Sequence, residues 1–517
     1  MLAEGERLFF PQFGSWPETC IASNHDIARF AALRRIVVNM SDILELDAVT
    51  LAAHIRDKSL SPVEVITASI ERMERLEPEL HAFCTPTTAL ALARAKEIEQ
   101  QIMRGEDPGP LGGIPVAIKD LISTKGIRTV SGSYLYENFI PDEDDITVER
   151  LKAAGAIILG KTNAPEFGYS GTGHNPVFAT TCNPWDTALT PGGSSAGSAA
   201  ALAARMCPLA LGSDGGGSVR IPAAHSGIFG MKASMGRVPL YPGCRDERYP
   251  GMSSWESLEH IGPMSRSVAD AALMLSVIAG PDARDRHSIP TGDVDWQGSL
   301  NGSLKGLRIG FSPDWGYAAV DPQVRAIVAD AVRVFEQELG CIVEEAHPGF
   351  ADPKLTFAAL VAQETDLTGM RRLMEIHGDR MSPHLVEMLN TQWTAEMFTD
   401  ANMKRKEVVN KMWRFMQRYD LLLTPTLATP PFPIDIESPD SIDGRHVTPS
   451  EWLAFVFPIN LTGQPAASVP AGFTAEGLPV GLQIVGRHLD DALVLRASAA
   501  FEKVRGWDDR LPPILCR

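Results

Sequence analysis

The chain of 517 residues predicts an α/β fold, and three observations carry the prediction. Stretches of helical period alternate with short apolar runs that read as strands. KGLRIGFSPD, DPQVRAIVADAVRVFEQELG and CIVEEA follow one another as strand, helix and strand, which a parallel crossover joins naturally. With 44% apolar residues, the chain can bury a large core, as one big α/β unit or as two to three domains.

Taken in order, residues 1–39 have no sustained period and read as an N-terminal extension, expected to be disordered, with the ordered domain spanning 40–517. TLAAHIRDKSL and SPVEVITASIERMERLEP give two amphipathic helices. The second opens with Ser61 at the N-cap and Pro62 at N1. ALALARAKEIEQQIMRGED gives a third. In LGGIPVAIKDLIS, Val116 and Ile118 alternate with Ala117 and Lys119 as in a strand. A lysine there ordinarily marks a solvated end, and Lys125 in the following TKG turn should be solvated in any case. TVERLKAAGAIILGKTNAPEFGYSG gives a helix, a buried strand at 156–159 and a loop. Residues 198–207 are Ala-rich, nearly uncharged and of helical length, so that helix should be buried.

Further on, AAHSGIFGMKASMGRVPLYPG reads as packed loop and strand, and residues 245–259 as a variable rim of polar and aromatic character. GPMSRSVADAALMLSVIAGPD reads as a helix, and residues 352–419 as mostly helical. YDLLLTPTLATPPFP returns to the sheet. ASVPAGFTAEGLPVGLQIVGR forms a hairpin-like strand with Val480, Leu482 and Ile484 on one face, and ALVLRASAAFEKV closes the chain as a helix.

Composition excludes several functions. A formal net charge of −17 leaves no basic excess for phosphate neutralisation, which argues against nucleic acid as the main ligand. The seven cysteines are scattered and lack CxxC pairing, so neither a disulfide framework nor a zinc site is expected, and a cytoplasmic location fits. No apolar run reaches the roughly 20 residues of a membrane span, and the N-terminus lacks a signal-peptide pattern.

The chemistry concentrates in PGGSSAGSAAALAARMCPLALGSDGGGSVRIP, residues 191–222. Two glycine-flanked serines, Ser194 and Ser218, stand at either end of the Ala-rich helix. Glycine lets backbone approach a ligand closely, and successive N–H groups of a glycine run converge into an anion-binding nest. A nucleophilic oxygen beside such donors is what acyl transfer requires. For either loop alone, the plainer reading is a Gly/Ser turn capping a core helix; the pair favours a site.

Two other patterns in this region are decoys. Residues 155–162 spell G-x-x-x-x-G-K-T, but the middle of the motif is a branched apolar strand where a phosphate loop must be flexible. Residues 193–197 spell G-x-S-x-G around Ser195, but the preceding NPWDTALTP is a turn-rich loop and not the buried strand that a nucleophile elbow needs.

The spacing G-G-S-S-A-G followed by G-S-D-G-G-G-S-V-R-I-P resembles the signature of the amidase signature family of serine hydrolases. The resemblance covers roughly residues 47–505 and is most specific over 112–239. Ala196 departs from it, standing where many members carry glycine. It implies a large mixed twisted central sheet covered by helices on both faces. It implies Ser218 as nucleophile, Ser194 as bridging serine after a cis Gly193–Ser194 bond, and Lys119, in G-I-P-x-x-I-K-D, as base. Gly215, Gly216, Gly217 and Ser218 would offer N–H donors to the oxyanion, Gly168 and Tyr169 would line the acyl pocket, and Asp214 and Arg220 would hold the nucleophile loop. His174 and His225 are read as structural.

With an ordinary pKa of about 10.4, Lys119 would be charged at neutral pH and could not act as a base; burial must bias it toward the amine by roughly 4 kcal/mol.

The activity implied is metal-free hydrolysis of a small linear amide, aryl amide or carbamate through an acyl-serine, without cofactor, nucleic acid or membrane and with homodimerisation left open. The amidase subunit of a glutamine-dependent tRNA amidotransferase is the alternative. A non-catalytic binding protein is disfavoured because all three catalytic positions are filled.

Overall fold

The computed structural model describes residues 43–241, 255–292 and 294–516; the expectation for the N-terminal extension lies outside them. Eleven strands form one mixed sheet in the order β1-β3-β2-β4-β6-β5-β12-β13-β9-β7-β8. These are β1 (Phe83–Pro86), β2 (Pro115–Lys119), β3 (Ile157–Thr162), β4 (Leu209–Ser213), β5 (Phe229–Lys232), β6 (Ile261–Ser265), β7 (Arg308–Phe311), β8 (Ile342–Glu345), β9 (Leu421–Pro425), β12 (Ala466–Phe473) and β13 (Pro479–Gly486). A separate ribbon pairs β10 (Ser441–Ile442) with β11 (Arg445–His446).

β2 runs parallel to β3 and β4, and β7 runs parallel to β8 and β9. The middle of the sheet is antiparallel, through β4–β6, β6–β5, β5–β12, β12–β13 and β13–β9. Every residue of β2, β3, β4 and β13 is buried. Such strands need cover on both faces, and fourteen α-helices among the described residues supply it.

The local signals act as expected at several points. Ser61 caps the helix Pro62–Leu80 with a full capping box to Glu64, an arrangement that satisfies two otherwise unpaired N–H groups. The parallel crossover is β7, the helix Pro322–Gln337 and β8, and the hairpin is β12–β13. Lys125 is exposed. Residues 352–419 contribute the helices Lys354–Gln363, Leu367–His377, Pro383–Asn390 and Ala395–Met416.

Two expectations need correction. The helix predicted at 262–282 covers only Val268–Ile278, because residues before it form β6, wedged between β4 and β5. Pro263 in that strand hid the pairing. The Ala-rich helix runs Ala196–Ala203, earlier than the predicted 198–207, and the chain turns away at Arg205, whose φ is +53°.

That helix is buried along its whole length. A Cβ on Gly197 would stand 2.1 Å from the Ala82 carbonyl oxygen and 2.5 Å from the Asn163 nitrogen, both backbone atoms. Gly197→Ala should therefore overpack the interface with β3 and destabilise the protein by roughly 1–3 kcal/mol, read as a lower urea midpoint at unchanged slope.

Candidate active site

β2 carries Lys119 into the sheet between β3 and β4, where the side chain is 0% exposed. Its Nζ lies 2.7 Å from Ser194 Oγ, 2.9 Å from Ser213 Oγ and 3.3 Å from the Ser213 carbonyl oxygen. Ser213 ends β4, the parallel neighbour of β2, and Ser194 immediately precedes the buried helix. The Gly193–Ser194 peptide is cis. Burial pushes the Lys119 amine down to about 8, against the opposing pull of the Glu259 and Asp214 carboxylates. The solvated-end reading of this strand therefore fails, since no water competes for the amine.

Ser194 and Ser218 are drawn together through backbone: the Ser195 N–H donates to the Ser218 carbonyl at 3.1 Å. Ser195, the centre of the decoy G-x-S-x-G, is fully buried, with its hydroxyl bridging the backbone nitrogen and oxygen of Ser213 at 3.3 Å each. It is a strut between two loops and not a nucleophile. Ser218 keeps 8% exposure at the end of the glycine run.

The loop carrying Ser218 is held by Asp214. Its carboxylate accepts from the Gly217 N–H at 2.8 Å and the Val219 N–H at 3.3 Å. It also accepts from Arg220 Nε and Nη2 at 2.9 Å each and from Asn460 Nδ2 at 2.8 Å. Arg220, itself fully buried, goes on to Gln483 Oε1 at 2.6 Å and Asn460 Oδ1 at 2.7 Å. Burial alone would raise the Asp214 carboxyl; the Arg220 charge and bonds outweigh it and hold the group well below the usual range. Gly217 has φ +117°, a conformation open to glycine. Because its N–H is engaged by Asp214, Gly217 anchors the loop, a correction to its expected part as an oxyanion donor.

Gly168 lies against the bridging serine: a Cβ there, at φ +78°, would be 3.3 Å from Ser194 Oγ. Tyr169 is half-buried, its hydroxyl 2.6 Å from Thr365 Oγ1 and its ring edge-on to Trp255 at 4.8 Å. Trp255 and Glu259 pack directly on Gly215, and Phe357 on Gly216. Residues 245–254 of the expected rim are outside the described residues, but Trp255 and Glu259 pack over the Ser218 loop at Gly215 and do not stand at a rim.

Behind the loop, His260 accepts the Asp214 N–H on its carbonyl at 2.7 Å, and its Nε2 sits 3.3 Å from Lys232 Nζ. Burial, with Arg220 nearby, pushes Lys232 down to about 7.

His225 stacks on Trp452 with Nε2 3.2 Å from the Thr429 carbonyl, and burial pushes it down to about 4. His174 is exposed and meets Thr180. Neither touches the lysine or the serines. Sequence reasoning missed Ser213, which stands inside the recognised motif, and Glu259, Asn460 and Gln483, whose place depends on chain crossings far apart in sequence.

Among the described residues, no group of His, Cys, Asp and Glu is placed to hold a metal ion, and no helix is long and apolar enough to cross a membrane. Cys84, Cys182, Cys207, Cys341 and Cys516 are free thiols.

A buried amine thus meets a cis-linked serine beside a glycine-rich serine loop, and the Amidase family model matches residues 64–495. The chain belongs to the amidase signature family. It is 38% identical to an acylamidase of Rhodococcus erythropolis over 481 residues, spanning 90% of this chain and 97% of that protein. It is also 38% identical to a glutamyl-tRNA(Gln) amidotransferase subunit of Carboxydothermus hydrogenoformans, spanning 89% of this chain and 98% of that one. The crystal structure of a bacterial aryl acylamidase of the amidase signature family superposes with a TM-score of 0.84 at 30% identity, covering 91% of this chain and 98% of the other.

Arg220→Met should leave the Asp214 carboxylate without its charge partner and cost about 3–5 kcal/mol at neutral pH. Because the folded pKa of Asp214 is depressed, that contribution is complete above the unfolded value of about 3.9 and is lost as pH falls through the lower folded one. Denaturation curves at pH 7 and pH 3 should show the gap between wild type and variant narrowing in acid.

Proposed function

We propose that the chain hydrolyses the C–N bond of a small linear amide, aryl amide or carbamate through an acyl-serine on Ser218. The observation that carries the reading is the contact between the fully buried Lys119 amine and Ser194 Oγ, at 2.7 Å. An amine lowered to about 8 is neutral in roughly a tenth of molecules at pH 7. It then accepts the Ser194 proton while Ser194 accepts that of Ser218, whose oxygen attacks the carbonyl. The N–H groups of Gly215, Gly216 and Ser218 are the proposed donors to the oxyanion. The proton held on Lys119 returns through Ser194 to the leaving nitrogen, and water then releases the acid by the same relay.

The likeness to an acylamidase and to an aryl acylamidase supports this substrate class. So does the aromatic cover over the nucleophile loop from Tyr169, Trp255 and Phe357, which suits an apolar acyl or aryl group. Equal identity to an amidotransferase subunit supports a second reading, glutamine hydrolysis within a complex. Cytoplasmic location, metal independence and a homodimer belong to the same proposal.

Amides, anilides, carbamates and glutamine offered to the purified chain alone separate the two. Turnover of an anilide by the chain alone, unaltered by chelator, is expected; loss on chelation, or glutamine turnover requiring a partner, overturns the first reading. Ser218→Ala should abolish labelling by a fluorophosphonate. The wild-type rate should rise with pH along a limb near 8, and Lys119→Ala should lower the rate by at least about 100-fold and flatten that limb.

A further inference from the structure

Between the short turn Tyr134–Tyr136 and the helix Leu367–His377 lies a cleft of about 210 Å³, walled by Tyr134, Leu135, Tyr136, Leu373, His377 and Arg380. At roughly 30 Å³ per water the space holds about seven waters, room for one small organic molecule. It shares no residue with the site of Lys119, Ser194 and Ser218.

One buried carboxylate sets both walls. Glu166, 0% exposed, accepts from Ser133 Oγ at 2.7 Å and from the Ser382 N–H at 2.6 Å. Ser133 immediately precedes the turn and Ser382 stands two residues after Arg380, so these bonds fix the walls to each other before any ligand arrives. Tyr136 is held further, edge-on to Phe139 at 5.6 Å and to Phe167 at 5.8 Å. On the opposite wall Leu373 and His377 are four residues apart on one helical face, and the turn Gly378–Arg380 follows directly and brings Arg380 beside them.

The polar chemistry of the walls is one-sided. A guanidinium, an imidazole and two phenols can all donate hydrogen bonds, and no carboxylate lines the cleft. Among the described residues Arg380 forms no ion pair; its guanidinium carbon lies 4.1 Å from the centroid of the Tyr134 ring. A guanidinium that rests its face on a ring keeps its N–H edge for a carboxylate, which it binds through two parallel bonds. Leu135, Leu373 and the Tyr136 ring make up the apolar remainder. That side suits a flat hydrocarbon ring and offers a small inorganic anion nothing.

We infer that the cleft binds a one-ring aromatic carboxylate, with the carboxylate on the N–H edge of Arg380 beside His377 and the ring against Leu135, Leu373 and Tyr136. The inference does not depend on the proposed reaction.

The test is a titration with para-fluorobenzoate followed by fluorine NMR. The full chain is used with Ser218 blocked by fluorophosphonate, so that the catalytic serine is closed to the acid. One saturable equivalent is expected. Arg380→Met should weaken it by at least about 10-fold, the size of a lost hydrogen bond to a charged group, and Tyr134→Leu by about 3- to 10-fold through loss of the ring under the guanidinium. Uncharged para-fluorobenzamide and inorganic phosphate should each bind at least about 10-fold more weakly than the acid, since each lacks one half of what the cleft offers. No saturable binding, or unaltered binding in either variant, overturns the inference. Equal affinity for the amide overturns it in favour of a merely apolar groove, and equal affinity for phosphate in favour of a general anion site. Arg380 is exposed, and thermal unfolding checks that each variant folds; should Arg380→Met fail, Arg380→Gln is read in its place. If the fluorophosphonate leaves Ser218 unlabelled, the proposed nucleophile fails on its own, and the difference between unblocked wild type and Arg380→Met decides the cleft.

Discussion

The constraint on which the structure depends is the burial of one amine. Lys119 ends a strand with no solvent on either face, and its partners are two hydroxyls and a carbonyl. A buried ammonium without a contacting carboxylate is expensive, and burial lowers the amine to about 8, close enough to neutrality for the proton to leave. Two carboxylates oppose this, Glu259 the more strongly; the other, Asp214, is paired to Arg220, and Asn460 donates to it as well. The bonds that fix the Ser218 loop and the charge pairing beside Lys119 therefore belong to one network.

Burial alone does not make a base, as the neighbouring strand demonstrates. Lys161 on β3 is also fully buried and also pushed down to about 8. Its register partner is Ile118, while Lys119 pairs with Thr162, so the two lysines leave the sheet on opposite faces. Lys161 Nζ reaches the Ile122 carbonyl at 2.5 Å and Thr129 Oγ1 at 2.9 Å, with Asp120 as its nearest opposing charge. It ties loops together. What sets Lys119 apart is the Ser194 hydroxyl just before a buried helix, with the next N–H, that of Ser195, held by the Ser218 carbonyl.

Much of this was legible in the sequence because it is local. Strand period, the Ser61–Pro62 cap, the two serine loops and the lysine of β2 lie in contiguous motifs, and Asp214 and Arg220 stand six residues apart on one turn. Both decoys were legible for the same reason: a branched strand cannot be a flexible phosphate loop, and Ser195 lacks a strand before it. What escaped was the assembly from distant segments. β6 was hidden by Pro263. Asn460 and Gln483 meet Arg220 across more than 200 residues of chain. Glu259 sat in a stretch whose polar and aromatic composition reads as surface, because composition does not reveal that the segment folds over Gly215.

The division between local and distant contributions also orders the chemistry. The groups of the proposed relay all come from residues 119 to 220, a region whose strands and helices are buried almost throughout. The surfaces that meet a substrate come from elsewhere: Trp255 from the segment after β5, Phe357 and Thr365 from the helical region after β8, Tyr169 from the loop before the cis serine. Several of those segments come against this region at glycines, Trp255 at Gly215 and Phe357 at Gly216. On the proposed mechanism, side chains on the cover can therefore change while the buried lysine–serine contact stays in place, and selection among amides would be made on a layer separate from the one that breaks the bond.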